Sequence, residues 1–139
     1  PASDFDRADI LRKLAQLRLD QHRWDDSSAA IEAAVKLHDK CGVKGIHGPP
    51  NRGYPGVLAI RGWIDQFARQ HTSRDIDLAR ITDDYQRALE LAPDPRQAPR
   101  THLVAIVNLT VLSIDTEVGM STAQVTLANT IQRSGCQPA

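Results

Sequence analysis

The stretch LVAIVNLTVLSI, residues 103–114, decides the fold class. It carries no ionisable side chain and is rich in β-branched residues, so it reads as buried. Periodicity alone fits a buried helix or a buried strand. Length favours the helix, because the run spans twelve residues and no second strand is legible nearby to pair with it. The strand stays open as the alternative at this point. The run is too short to span a bilayer.

Working outward from it, Pro93, Pro95 and Pro99 end the preceding helix and form a stiff connector, which sets a helix over residues 101–115. Downstream, Gly119 makes a turn, and Ser121 with Gln124 forms a capping-box start for a helix over 121–134. Its core face is Ala123, Leu127, Ala128 and Ile131, and Gly135 closes it. From residue 101 to the end, the charged side chains are Asp115, Glu117 and Arg133, with His102 beside them. A hairpin so poor in charge must be covered by the other helices or by another subunit.

The first two thirds read as ordinary amphipathic helices. Over residues 5–19, Ile10, Leu14 and Leu17 recur at i, i+4, i+7, with Leu11 and Ala15 widening the stripe, so these positions are expected to face the core. After a polar turn at 20–23, a helix over 25–41 is expected to be capped by Asp25 or Asp26. Its face is Ile31, Ala34, Val35 and His38, and Glu32 with Lys36 forms an i,i+4 ion pair. A third helix, 57–71, aligns Val57, Ile60, Ile64, Phe67, Ala68 and His71. A fourth, 75–92, follows Thr72-Ser73-Arg74-Asp75 as its capping box and aligns Leu78, Ile81, Tyr85, Ala88, Leu89 and Ala92. Between the second and third helices, residues 42–56 hold five of the chain's eight glycines and three of its eight prolines. They read as a loop, longer than most helix–helix connections.

Composition agrees with one all-α domain of about six helices packed as antiparallel hairpins. At 139 residues the chain suffices for a single core, and 41% hydrophobic residues is too many for a disordered one. Aromatics are only 4%, so the core is built from Leu, Ile, Val and Ala, which suits close helix packing. Seventeen basic and seventeen acidic residues cancel, leaving no field to draw the whole molecule to nucleic acid or to an anionic membrane. No secretory signal is visible, and a cytoplasmic location is expected. Cys41 and Cys136 do not make a disulfide scaffold, and their pairing stays open.

Tyr85, Ala88 and Pro93, within ITDDYQRALELAPDP, resemble the second helix of a tetratricopeptide repeat. A bulky residue, a small one three later and a terminating proline recur there. Leu11, Leu14, Ala15, Ile31 and Ala34 echo the pattern more faintly. Ala34 and Ala88 lie 54 residues apart, roughly 20 more than the family's repeat of about 34. The 42–56 loop could be the insertion. The resemblance implies a peptide-binding or scaffold role without catalysis.

Candidate chemistry is sparse. His38, Cys41 and His47 match no zinc spacing, so no metal or cofactor is expected. Lys44, His47, Arg52 and Tyr54 lie among glycines whose backbone N–H groups could cradle an anion, but the spacing is neither a P-loop nor a dinucleotide fingerprint. Asp25-Asp26 and Asp83-Asp84 are adjacent on helices and point apart, so they read as caps and solvated face rather than acid–base pairs. Residues 118–133 have a helix-turn-helix outline, but no Lys or Arg lies from 101 to 132, which argues against DNA reading.

No catalytic constellation emerges, so the chain is expected to be a non-enzymatic protein–protein interaction or scaffold module. Its partner-binding residues are expected at Lys44, His47, Arg52, Tyr54 and Trp63, beside a groove between the second, third and fourth helices. The alternative is a self-assembling coat or filament subunit that uses the 101–135 hairpin as its contact.

Overall fold

Residues 103–114 are helical. They lie within the last of five helices in the computed structural model, which describes residues 3–41 and 53–115. These are α1 (Asp4–Asp20), α2 (Trp24–Cys41), α3 (Tyr54–His71), α4 (Leu78–Leu91) and α5 (Pro99–Asp115), and no strand occurs among the described residues. The all-α expectation therefore holds. The sixth expected helix, 121–134, lies outside the described residues, as do Lys44, His47, Arg52 and Cys136.

Each helix start has a local cause. Ser3 caps α1, its hydroxyl accepting from Asp6 N at 3.1 Å. Helix α2 begins at Trp24, so Asp25 and Asp26 sit in its first turn, rather than at its cap, where they oppose the dipole favourably. Helix α3 begins at Tyr54, three residues before the expected start. Pro55 occupies the first turn, where a missing N–H costs nothing, so residues 54–56 belong to the helix and not to the loop.

The capping box expected at 72–75 is absent. Asp77 caps α4 instead, accepting from Ala79 N at 3.0 Å. The Thr72 hydroxyl serves the end of α3, bonding the Ala68 carbonyl and accepting from Arg74 N. Pro99 is the first residue of α5 rather than part of the connector. Its helix is tied back to the end of α4 by His102, whose Nε2 donates to the Ala92 carbonyl.

Helices α1 and α2 form one antiparallel hairpin and α3 and α4 a second, with α5 against α3 and α4. Helix α3 also touches α1 and α2, which makes it the central element. Its buried set is correspondingly wide, from Tyr54 and Val57 through Leu58, Ile60 and Ile64 to Ala68. The α4 face is the expected one, with Ile81, Tyr85 and Ala88 fully buried and Leu89 nearly so.

Helix α1 is the exception. Its buried residues are Ala8, Ala15 and Leu19, not Ile10, Leu14 and Leu17. The reason lies in how closely α2 approaches. Ser27 donates its hydroxyl to the Ala15 carbonyl at 2.7 Å, and Ala30 and Ala34 line the same seam. Backbones that close admit alanine and serine between them and exclude leucine. Ile10, Leu14 and Leu17 are left on the outside, while Leu19 is buried and Leu11 packs partly against the core.

Candidate functional site

Two features stand out, one charged and interior, the other apolar and exposed. The charged one links α2, α3 and α4. Arg61 makes two bonds to Asp84, at 2.8 and 2.7 Å, and reaches Glu32 at 3.5 Å. Arg80 in turn pairs with Glu32 at 2.5 Å and lies 3.3 Å from Asp65 Oδ2. Asp84 is thus buried in a bidentate pair rather than solvated. Glu32 points across to α3 and α4 and does not pair with Lys36.

Burial is the main cause that shifts the proton affinities of Asp65 and Tyr85. Asp65 is pushed up to about 6, because desolvation outweighs the attraction of Arg80, with Asp84 and Glu32 adding repulsion. Its Oδ2 has no hydrogen-bond partner among the described residues. The bonds from Asp84 hold Arg61 firmly protonated. The Tyr85 phenol is driven far up by burial, and its hydroxyl donates to Gln66 Oε1 at 2.7 Å. Arg61 and Arg80 spend their charge on Asp84 and Glu32, so the network bridges the seam where the sequence places the partner groove.

The apolar feature lies between α1 and α2. A groove of about 590 Å³ is lined by Ile10, Leu11, Ala33 and Leu37, with Arg7, Lys36 and Lys40 around it. Ile10 is 61% exposed. Leu14 and Leu17 continue the exposed apolar surface along α1, whereas Phe5, on another face of the helix, meets His38. Among the cations, Lys40 and Arg7 share Asp4 at 3.5 and 3.9 Å, and Lys36 makes no ion pair among the described residues. The sequence pattern places both Ile10 and Leu11 in the core; Leu11 does pack partly against it, whereas Ile10 does not. Two apolar stripes share this helix, and side-chain size picks the wrong one.

The expected site residues within the described region are structural in placement. Tyr54 is 1% exposed and donates to Asp39 Oδ1 at 2.8 Å. Burial and then that bond push its phenol up to about 12. Its ring packs against His38, which is itself buried and also meets Phe5. Trp63 is partly buried against the core beside Phe67, and Trp24 stacks on His71 and Phe67 at the hairpin ends. Among the described residues, no three His, Cys, Asp or Glu side chains are grouped to hold a metal ion. No described helix is long and apolar enough to cross a membrane.

Comparison with protein-family models, curated proteins and solved structures returns no match. The functional reading therefore rests on geometry.

Proposed function

We propose that the chain is a non-catalytic protein-interaction module built from helical hairpins, and that the α1–α2 groove is its docking surface. One observation carries this reading. Helix α1 commits Ala8 and Ala15 to the core and leaves Ile10, Leu14 and Leu17 exposed along one face. Contiguous apolar surface on a helix face is what an interacting protein buries, whereas scattered single residues mean little. The tetratricopeptide resemblance supports the same reading. Two hairpins lie side by side, α3 contacts both α1 and α5, and Tyr85 and Ala88 are fully buried at the positions that carry the resemblance. The partner residues expected from the loop, Lys44, His47 and Arg52, remain candidates for extending the surface.

Selection from an unbiased displayed-peptide library tests this. The reading expects an enriched sequence family whose binding is lost in Ile10→Asp, a substitution at an exposed position that leaves the core intact. Absence of any enriched family, or enrichment insensitive to Ile10→Asp, would overturn it.

A second reading, self-assembly, is favoured by a separate observation. On α5, Leu103 and Ile114 are 65% and 72% exposed, with Val107 and Val111 between them, while Ala105, Ile106, Leu109 and Leu112 face α3 and α4. A helix apolar on both faces is suited to a second layer on its outer side. In this reading that layer is another copy of the chain.

A further inference from the structure

The rim of the α1–α2 groove narrows the kind of partner. We infer that the groove receives a short acidic amphipathic helix of another protein, apolar side chains inward and carboxylates toward Arg7, Lys36 and Lys40. This rests on the interaction-module reading above and adds the chemistry of the ligand.

The floor is Ile10, Leu11, Ala33 and Leu37, and the three charged residues lining it are all basic. They come from both walls, Arg7 from α1 and Lys36 and Lys40 from α2, so an occupant is flanked by positive charge on each side. The acid that reaches this rim is Asp4, shared between Lys40 and Arg7. Lys13, on the same helix, is spent on Asp9, which also takes Arg12. Lys36 loses its in-helix partner because Glu32 is drawn to Arg61 and Arg80. Three cations against one acid leave an excess that complementary carboxylates would satisfy.

The groove's shape favours a helix. Two antiparallel helices leave a valley into which the side-chain ridge of a third fits, and Ala33 keeps the floor low for close approach. The lining residues span about one turn of α1 and about two of α2, which matches a ligand helix of about two to three turns. Two segments outside the described residues do not match this occupant. Residues 42–52 contain no acid, and residues 116–139 contain only Glu117.

The probe is a helix-stapled peptide of about three turns, with leucines along one face and glutamates flanking them. Its counterpart has every glutamate replaced by lysine. Each is labelled and titrated with the full chain by fluorescence anisotropy. The acidic peptide should bind about tenfold or more tighter than the basic one. That preference should collapse in Lys36→Glu/Lys40→Glu, two exposed positions, with the circular dichroism spectrum unchanged. It should also fade as salt rises from about 0.01 M to about 1 M, where the screening length falls from about 30 Å to about 3 Å.

Equal binding of both peptides, lost in Ile10→Asp, would overturn the acidic assignment and leave the docking surface standing. Failure of both peptides would overturn the assignment too, and an empty library selection would then remove the interaction reading with it. Phosphatidylserine vesicles are the remaining arm. If they bind at the groove and neither peptide does, the ligand is a lipid surface and the inference is wrong.

Discussion

Gly62 on α3 lies under the ring of Tyr85 on α4, so near that a Cβ at position 62 would fall 2.9 Å from Tyr85 Cε1 and 3.1 Å from Cζ. The two residues set the spacing of the second hairpin. The Tyr85 ring cannot swing aside freely, because it is fully buried and its hydroxyl is tied to Gln66.

Gly62→Ala should therefore destabilise the fold despite alanine's better helix propensity. That propensity favours the variant by about 1 kcal/mol, whereas overpacking in a filled core costs about 1–3 kcal/mol. A net loss of up to about 2 kcal/mol in urea unfolding is expected. Gly62→Ala combined with Tyr85→Leu should recover part of it, since the smaller side chain gives way.

The Asp65 carboxyl predicts a pH dependence of definite sign. Its folded value is raised to about 6 from an ordinary 3.8, so the folded state binds the proton more tightly than the unfolded one. Stability linked to this group is full below about pH 4 and falls as the pH rises through about 6, where the folded chain must hold a buried charge. Asp65→Asn removes that cost. The variant should be more stable than the parent by about 1–3 kcal/mol at about pH 8 and nearly equal to it at about pH 4. Urea unfolding of both chains at the two pH values reads the difference, and a gap independent of pH would contradict the account.

The outer face of α5 makes a third prediction. If another copy covers it, Leu103→Glu/Ile114→Glu should lower the concentration-dependent molecular weight seen in sedimentation equilibrium and leave helix content unchanged. A parent chain that is monomeric at every concentration would remove the self-assembly reading.

Helices were legible in the sequence because their signals are local. Residues 5–19 and 57–71 fall inside α1 and α3, and proline placement marked the break between α4 and α5. The strand alternative for 103–114 could not be dismissed locally, since a helix apolar on both faces has no period to detect. Which face of α1 turns inward was illegible for another reason. Burial there follows the approach distance of α2, set by Ser27, Ala30 and Ala34, and not the size of the apolar side chains. Long-range charge pairing was equally hidden. Glu32 had a plausible partner four residues on in Lys36, but it pairs instead with Arg61 and Arg80, on α3 and α4. The candidate groove exists because of those two outcomes. Alanine packing leaves Ile10 exposed, and the diverted Glu32 leaves Lys36 free to face a ligand.

The central claim is that the α1–α2 groove is a docking surface. Titrating the isotope-labelled full chain with the acidic helical peptide, and following every backbone amide by heteronuclear NMR, tests it most directly. The account predicts that saturable shifts concentrate at residues 7–11 and 33–40, with α4 and α5 unmoved. Shifts clustered on α5, or spread evenly without saturation, would contradict it.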